Sequence, residues 1–367
     1  MATQHNYRNF EKEELLPLDE VSRPSVEAGK KAGIALVGLG KYSEEQLGPA
    51  LLETGHCRLA GIVTGTSSKI PAWQTKYDIP DANVYTYDNF DSIKGNKEID
   101  IVYIVLPNAL HAEFAIRAAR AGKHVICEKP MAISVAECDQ MIQACEEAGK
   151  LLSIGYRLHF EPHHEEMMKL GQNAGYGRLI ELSAKHGSSS VEGWRLDGSL
   201  AGGGPLMDLG IYCIQAARYT IGMEPISITA KRGANTHPKR FKNIEESLQW
   251  EMEFPGGIIA RCETSYTSDM DLLHANATHG WFELSPAYGY SGIQGKTATG
   301  FMDLPQVNQQ AAQMDNFAIS VLDNKPVRVP GTLGRADLVI IEAIYEAMES
   351  GKKISIAAPV AADPNLT

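Results

Sequence analysis

The chain has 367 residues, of which 44% are hydrophobic and 22% are charged, an ordinary globular composition that leaves room for two domains. Its formal net charge of −11 at pH 7 argues against nonspecific binding to nucleic acid. No run of eighteen apolar residues occurs, so we expect no membrane-spanning helix. The six cysteines form no C-x-x-C pair and several lie in apolar runs, which favours reduced, buried thiols.

The N-terminal segment is polar, with prolines at 17 and 24 and a charge-rich middle. This composition predicts an arm over residues 1–32 that lies outside the core. Two interpretations remain open: the arm is disordered, or it covers a ligand or a neighbouring subunit. The segment has no apolar core and no paired arginines, so we expect no secretory signal and a cytoplasmic protein.

Residues 33–155 alternate between short apolar strands and helices. One helix has a capping box, with Ser134 at its start and Glu137 three residues later, and it ends at Gly149. Continuous apolar strands that alternate with helices predict an α/β domain with a parallel sheet covered on both faces. The predicted strands are GIALVGLG, CRLAGIVTG, IDIVYIVLP, KHVICEKP and LLSIGYR.

Residues 156–367 carry longer, partly alternating strands such as RLIELSAKHG and HANATHGWFELSP. The sequence PGG at 255–257 indicates a hairpin, and two helices follow near the end of the chain. We predict an α+β domain with an open, largely antiparallel sheet. A sheet with one uncovered face favours association with other subunits. We also predict that this domain binds the substrate.

The first strand runs into a glycine turn with the sequence GLGKYS before a helix. Gly38 permits a tight turn, and Gly40 lets the backbone approach a pyrophosphate at the helix N-terminus. Ser43 stands where the dinucleotide fingerprint has its third glycine. The context predicts a Rossmann dinucleotide-binding domain, and a turn without a ligand is the alternative. The other residues of this turn predicted to contact the cofactor are Leu39, Lys41 and Tyr42.

The second strand ends where the ribose of a bound dinucleotide would lie. NAD sites place a carboxylate there, but this strand ends in Thr64 and Gly65, followed by Ser67, Ser68 and Lys69. Hydroxyls and an ammonium group suit a 2′-phosphate, so we predict NADP rather than NAD. The alternative is that Lys69 is a solvated charge at the start of a helix.

The fourth strand ends in Glu128, Lys129 and Pro130. Proline cannot donate to the ladder, so the strand stops here. In a parallel sheet the carboxyl ends of the strands face the ligand crevice, which predicts that Lys129 lies near the nicotinamide end of the cofactor. Pro130 can fix the turn through a cis bond. The alternative is a solvated lysine at a strand end.

Three glycines at 202–204 precede a predicted helix, PLMDLGIYCIQAARY. Asp208 and Tyr212 are four residues apart and share one face of this helix. The glycines would allow close approach to a ligand. Because a nearby ammonium favours a phenolate, Lys129 beside Tyr212 would help this tyrosine act as a base. An ordinary buried tyrosine is the alternative.

Four motifs together resemble the superfamily of glucose–fructose oxidoreductase, inositol dehydrogenase and the rhizopine-catabolism proteins. They are CEKPM, GYR, WRL and AGGGPLMDLGIYCI. The segments GLGKYS, YIVLPNALHAEFAIRA and ELSPAYGY make the chain most similar to the glucose–fructose oxidoreductase branch. The resemblance covers residues 33–355.

The resemblance implies roles for individual residues. Lys129 and Tyr212 would flank a sugar, with Tyr212 where the inositol dehydrogenase branch has a histidine, and Asp208 would fix the sugar hydroxyls. Tyr290 corresponds to a tyrosine near the sugar pocket, although Tyr288 leaves the register open. Lys129 and Arg157 are assigned to both cofactor and sugar. Further contacts to the cofactor or the sugar are implied for Tyr87, Leu106, Pro107, Asn108, His111, Glu128, Trp194 and Arg195.

The resemblance also implies an activity. The expected enzyme oxidises a cyclic aldose at C1 to its lactone with tightly bound NADP, whose hydride then reduces a second sugar to an alditol. The alternatives are an aldose 1-dehydrogenase with an exchangeable cofactor and an NADP-binding regulator without activity. The arm over residues 1–32 would help to hold NADP. A homodimer or homotetramer is expected, and relatives exported to the periplasm carry a twin-arginine signal that this chain lacks.

A metal site is a weaker possibility. The segment HFEPHHE contains His159, His163, His164 and Glu165, and the first two have the spacing of zinc ligands on a helix. Pro162 between them would break that helix unless it lay in the first turn. Hydride transfer needs no metal, so we predict that these are surface histidines without a metal.

Overall fold

The structure is a computed structural model that describes residues 30–356. The predicted N-terminal arm falls almost entirely outside the described residues. Two sheets organise this part of the chain, one of six strands and one of nine. The fold class predicted from the sequence is confirmed, because a parallel α/β sheet is followed by a largely antiparallel sheet with its own helices.

The first sheet is entirely parallel, with the order β3-β2-β1-β4-β5-β6. The central strand β1 is buried at all six residues, as expected for a sheet covered on both faces. Its neighbours align so that Leu36 lies beside Ile62 on one side and Tyr103 on the other. The six strands are β1 (Ala32–Val37), β2 (Cys57–Val63), β3 (Val84–Tyr85), β4 (Ile101–Ile104), β5 (His124–Cys127) and β6 (Leu152–Ile154).

Helices connect these strands, and one of them begins as the sequence predicted. The hydroxyl of Ser134 accepts a hydrogen bond of 3.2 Å from the backbone N–H of Glu137. The strand β3 was not predicted, because two residues among aspartates, asparagines and a proline carry no periodic signal. The helices are α1 (Gly48–Leu51), α2 (Ile70–Tyr77), α3 (His111–Arg120) and α4 (Val135–Glu147).

The second sheet has the order β14-β13-β12-β11-β7-β10-β9-β8-β15. All its pairs are antiparallel except β7 with β10. The predicted hairpin is confirmed, since Pro255–Gly257 joins two antiparallel strands. The nine strands are β7 (Leu179–Gly187), β8 (Ser227–Arg232), β9 (Ser247–Phe254), β10 (Ile258–Ser265), β11 (Met270–Ala277), β12 (Gly280–Leu284), β13 (Gly295–Thr297), β14 (Gly300–Met302) and β15 (Ile354–Ser355).

Burial alternates along the second sheet. On β10, Ile258, Ala260 and Cys262 are buried, whereas Arg261 between them is exposed and pairs with carboxylates on neighbouring strands. One face therefore packs on helices and the other is polar. The remaining helices are α5 (Pro162–Gln172), α6 (Gly198–Ala201), α7 (Ile211–Ile221), α8 (Gln309–Asp323) and α9 (Gly331–Ser350).

Helix α8 returns to the first sheet. Met314, Phe317 and Ala318 are buried in the same cluster as Ile34 and Leu36 of β1. The sequence placed this segment in the second domain, and its helix packs on the first sheet. The predicted domain boundary at residue 155 stays a prediction. Among the described residues, no helix is both long enough and apolar enough to cross a bilayer.

Candidate active site

The glycine turn after β1 has room for a ligand at one of its two glycines. Gly38 has φ +96°, and a Cβ there would lie 2.4 Å from the carbonyl oxygen of Val105, so only glycine fits. A Cβ at Gly40 would meet no atom within 4 Å. This open backbone at the start of a helical segment fits the approach of a pyrophosphate.

Ser43 stabilises the same turn. Its hydroxyl is buried and donates a hydrogen bond of 2.7 Å to the carbonyl oxygen of Gly38. The third fingerprint glycine is therefore replaced by a side chain that fastens the turn. Leu39 in this turn is buried, Lys41 is exposed, and the ring of Tyr42 lies 5.7 Å from the ring of Tyr290 across the crevice.

Lys69 lies beside the glycine turn. Its Nζ donates a hydrogen bond of 2.6 Å to the carbonyl oxygen of Leu39 and lies 3.5 Å from Glu44. The side chain is thus only partly solvated, with 35% exposure. Thr64 and Gly65 precede it, and the ring of Tyr87 packs on Gly65, where a Cβ would come within 3.0 Å of it.

The loop after β4 is tied to the rest of the site by buried polar side chains. Asn108 donates a hydrogen bond of 2.8 Å to the carbonyl oxygen of Ala201. The two ring nitrogens of His111 lie 2.8 Å from the carbonyl oxygen of Pro130 and 2.9 Å from that of Leu106. The side chains of Asn108 and His111 therefore hold the loop, which includes Pro107, in place. Direct contact of this loop with a dinucleotide stays a prediction.

Hydrogen bonds fix the side chains of both Glu128 and Lys129 at the end of β5. Tyr103 donates a hydrogen bond of 2.7 Å to Glu128, whose pKa is raised by burial. The Lys129–Pro130 peptide bond is cis. The Nζ of Lys129 donates to the carbonyl oxygen of Asp208 at 2.7 Å and to its carboxylate at 3.3 Å, and the side chain is 12% exposed. The alternative of a solvated lysine is therefore wrong.

The carboxylate of Asp208 accepts hydrogen bonds from three side chains. Its Oδ1 accepts from Lys129, and its Oδ2 accepts from Nε of Arg195 at 3.0 Å and from the hydroxyl of Tyr266 at 3.3 Å. Burial alone would raise the pKa of Asp208, but the charges of Lys129 and Arg195 outweigh it and the pKa lies below its ordinary value. The carboxylate is therefore ionised and orients Lys129. Trp194 stacks on Arg195, whose Cζ lies 4.7 Å from the indole ring.

Tyr212 lies among these groups. The Nζ of Lys129 is 4.7 Å from the centroid of its ring, and the Cζ of Arg157 is 5.2 Å from it. The predicted convergence of Lys129 and Tyr212 is confirmed, while their catalytic roles stay predictions. The ring of His186 lies 5.4 Å away, and burial lowers the pKa of this histidine to about 3, so it is neutral near pH 7.

Arg157 is 3% exposed and is bound by main-chain oxygens. Its guanidinium donates to the carbonyl oxygens of Tyr288 at 2.5 Å and Gly289 at 3.0 Å, and to the side chain of Gln309. Its Cζ lies 4.5 Å from the ring centroid of Tyr290. The side chain of Tyr288 is buried, with its hydroxyl on the carbonyl oxygen of Leu272, so Tyr290 is the tyrosine that faces the site.

The interpretation of the glycines at 202–204 is wrong. A Cβ at Gly202 would lie 2.6 Å from Ile133, one at Gly203 would lie 2.0 Å from the hydroxyl of Tyr345, and one at Gly204 would lie 2.4 Å from Glu245. These glycines make room for the protein's own atoms and not for a ligand. Asp208 lies in a π-helical turn over Leu206–Gly210, and Tyr212 lies in α7 directly after it.

The prediction of surface histidines is also wrong. His159, His163 and His164 are all buried, and each is hydrogen-bonded to a different group. Pro162 opens α5, so His159 lies before the helix and His163 within it. Among the described residues, no three candidate metal ligands come together. The hydrogen-bond partners of the histidines are Gln215, Glu161, Tyr219 and the carbonyl group of Ala287.

Several residues that contact the site carry no functional signal in the sequence. Tyr266 follows β10 directly, and His186 lies on the neighbouring strand β7. Gln309 and Gln313, one turn apart on α8, hold Arg157 and Tyr103. The available signal is three glutamines within the first five residues of the helix, of which Gln310 is also buried. Their partners are far away in the chain, so spacing alone could not identify them.

Comparison with known proteins agrees with this architecture. Residues 32–156 match the family described as "Oxidoreductase family, NAD-binding Rossmann fold", and residues 164–283 match the "GFO/IDH/MocA C-terminal domain". The structure of an aldose-aldose oxidoreductase from Caulobacter crescentus superimposes with a TM-score of 0.87 at 38% identity, covering 89% of this chain and 100% of the other.

Two further relatives have similar sequences. A D-xylose 1-dehydrogenase [NADP(+)] from Haloarcula marismortui is 27% identical over 88% of this chain and 92% of its own length. A D-glucoside 3-dehydrogenase from Escherichia coli is 25% identical over 88% of this chain and 97% of its own length. The two matched domains cover more than half of the chain, and the protein therefore belongs to the GFO/IDH/MocA family of oxidoreductases.

Proposed function

We propose that the protein is an NADP-dependent oxidoreductase that oxidises a cyclic aldose at C1 to its lactone. The observation that carries this proposal is the convergence of Lys129, Asp208 and Tyr212 at the carboxyl edge of the first sheet, the edge that also holds the open Gly40. The names of two relatives, an aldose-aldose oxidoreductase and a D-xylose 1-dehydrogenase, support a sugar as the substrate.

The residues that would hold the dinucleotide surround the glycine turn. The backbone at Gly38–Gly40 would receive the pyrophosphate, and Tyr42, Thr64 and Tyr87 lie along the same edge. When bound, the nicotinamide supplies an acceptor for the hydride that leaves the sugar carbon. The chain supplies the rest: it orients the sugar and moves its proton.

Tyr212 is proposed as the base that takes the proton of the C1 hydroxyl. Two cations, Lys129 and Arg157, lie within 5.2 Å of the centroid of its ring, which places the phenol among the charged groups of the site. Lys129 donates two hydrogen bonds to Asp208, which leaves its third N–H for a sugar oxygen. The carboxylate of Asp208 already accepts from Lys129, Arg195 and Tyr266, so its proposed task is to orient Lys129 and Arg195.

The preference for NADP rests on the end of β2. No carboxylate occurs between Val63 and Lys69, and an ammonium group lies there instead. A 2′-phosphate would find Lys69 and the exposed hydroxyls of Ser67 and Ser68. The D-xylose 1-dehydrogenase relative uses NADP(+), according to its name.

We further propose that the cofactor stays bound and that a second sugar is reduced to an alditol. The test starts from protein purified without added nucleotide, which should carry nicotinamide absorbance or fluorescence. A panel of aldoses and ketoses is then offered without NADP, and lactone and alditol are assayed.

Protein that is purified without bound cofactor and needs added NADP for turnover would support the second candidate, an aldose 1-dehydrogenase. The D-xylose 1-dehydrogenase relative favours this candidate. Undiminished oxidation after Lys129→Ala with Tyr212→Phe would exclude the proposed site. A wild-type protein that binds NADP but oxidises no sugar would instead favour a regulator.

We also propose association through the polar face of the second sheet. That face carries charged side chains such as Arg261 and Lys185, which pair with carboxylates and are 54% and 43% exposed. Light scattering coupled to size-exclusion chromatography should give the mass of a dimer or tetramer. A monomer at all concentrations would end this proposal.

A further inference from the structure

The helical segment that carries Asp208 and Tyr212 begins against a buried carboxylate. Oε2 of Glu245 accepts a hydrogen bond of 3.0 Å from the backbone N–H of Gly204, and Oε1 accepts one of 3.1 Å from that of Leu206. Glu245 is 3% exposed. The first N–H groups of a helix have no partner within it, so this side chain caps the segment from another part of the chain.

Tyr345 of α9 completes the arrangement. Its hydroxyl donates a hydrogen bond of 3.0 Å to Oε1 of Glu245. The same hydroxyl occupies the space that a side chain at Gly203 would need, and Glu245 occupies the space beside Gly204. The carboxylate therefore binds two backbone N–H groups and one phenol, and the glycines are what lets it reach them.

The opposite side of this glycine segment rests on the strand end that carries Lys129. Ile133, four residues after Lys129, fills the space beside Gly202. Lys129 itself is hydrogen-bonded to the main chain of Asp208, four residues after Gly204. The segment is thus fixed between Glu245 with Tyr345 on one side and the Lys129 turn on the other.

We propose that Glu245 is a positioning residue for the reaction: with Tyr345 it sets where the helix presents Asp208 and Tyr212 to Lys129. Glu245 touches neither Lys129 nor Tyr212, so it acts through the helix start and not on the substrate. This inference rests on the proposed function of Asp208 and Tyr212. A shift of about 1 Å at reacting groups can lower a rate about 100-fold, which gives the scale of the expected effect.

The main test variant is Glu245→Gln. In either orientation, its amide places the NH₂ group against a backbone N–H, that of Gly204 or that of Leu206, so at least one hydrogen bond is lost and the helix start shifts. We expect kcat for aldose oxidation to fall by about 10- to 100-fold, with the dissociation constant of NADP changed less than about twofold. A C1-deuterated aldose should show a larger kinetic isotope effect, since hydride transfer would become slower relative to product release.

Two further variants test whether this result is specific to the hydrogen bonds at the helix start. Tyr345→Phe removes one donor and keeps the packing, so a smaller loss of about two- to fivefold is expected even if Glu245→Gln folds poorly. Glu246→Gln is the matched control, because Glu246 is an adjacent buried carboxylate that binds Thr236, His237 and Thr267 and not the helix start. Its kcat should stay within about twofold of the wild-type value.

Amide hydrogen exchange separates this inference from the proposed function. Glu245→Gln should raise the exchange rate at residues 204–208, and Glu246→Gln should not. If the wild-type protein oxidises no sugar, the proposed function fails, but the exchange data still decide whether Glu245 holds the helix start. Unchanged exchange at 204–208, with or without a loss of activity, overturns the inference, as does a folded Glu245→Gln variant with wild-type kcat.

Discussion

Two glycine-rich segments of this protein are alike in sequence and opposite in use. Both stand before a helical segment at the edge of the candidate site. At Gly40 a Cβ would meet no atom within 4 Å, whereas at Gly203 it would meet the hydroxyl of Tyr345 at 2.0 Å. The first segment leaves space that a ligand can enter, and the second is filled by the protein's own side chains.

The difference assigns different tasks to the two segments. The turn at Gly38–Gly40 is proposed to decide how tightly a dinucleotide binds. The segment at 202–204 decides where Asp208 and Tyr212 stand, because its glycines let the chain pack closely around the start of their helix. Substitutions in the two segments should therefore affect different measurements.

The largest expected effect is a loss of activity from a substitution in the helix that follows the second segment. Tyr212→Phe removes the proposed base, so kcat for aldose oxidation should fall by about 10²- to 10⁴-fold. Steady-state kinetics and NADP fluorescence titration on the same preparation would separate catalysis from binding, which should not change. Tyr288→Phe is the matched control, because its ring lies 6.0 Å from that of Tyr212 but its hydroxyl is bonded to a main-chain oxygen. Equal losses in both variants would contradict the assignment.

The second-largest expected effect is a loss of stability from a substitution in the second glycine segment. Gly203→Ala forces a methyl group against Tyr345, and overpacking of this kind costs about 1–3 kcal/mol in the free energy of unfolding. Urea unfolding followed by tryptophan fluorescence measures that change. Gly95→Ala, where a Cβ would meet nothing within 4 Å, should unfold almost as the wild type does. An unchanged midpoint for Gly203→Ala would mean that Tyr345 moves away at little cost.

The contrast between the segments also marks what could be predicted from the sequence. The alternation of apolar strands and helices predicted the parallel sheet, since periodicity is local information. The position of Lys129 was predictable as well, because all strands of a parallel sheet end at one edge. Its proximity to Tyr212 followed from the family motifs, and the structure confirms it.

Other features depend on contacts between distant parts of the chain. Nothing near residue 203 indicates that Tyr345 and Glu245 fill the space beside it, so the sequence alone predicts that these glycines approach a ligand. Tyr266 was missed because it reaches Asp208 from the end of a strand 58 residues away. The sequence predicts surface positions for the buried histidines of α5, because a run of polar residues does not show which hydrogen-bond partners these residues find in the fold.

A smaller effect is expected at the first segment. Gly40→Ala adds a methyl group where the pyrophosphate is proposed to lie, so NADP should bind about tenfold more weakly, equivalent to about 1.4 kcal/mol. Because no atom is nearby, the free energy of unfolding should change by less than about 0.5 kcal/mol. Calorimetric titration and urea unfolding measure the two quantities. Loss of stability with full affinity would remove the distinction between the two glycine segments.

The smallest effect sharpens the role of the first segment further. Lys69→Ala should lower the preference for NADP over NAD by about five- to tenfold, since one cation for the 2′-phosphate is lost, while affinity for NAD should hardly change.

Glu44→Gln tests the proposed contact between Lys69 and the 2′-phosphate in the opposite direction. Glu44 lies 3.5 Å from Lys69 and competes with a phosphate for it, but both side chains are partly solvated, so removing the carboxylate should raise NADP affinity by no more than about fivefold. If both variants bind NADP like the wild type, Lys69 serves only to fasten Leu39, and the 2′-phosphate must be held elsewhere.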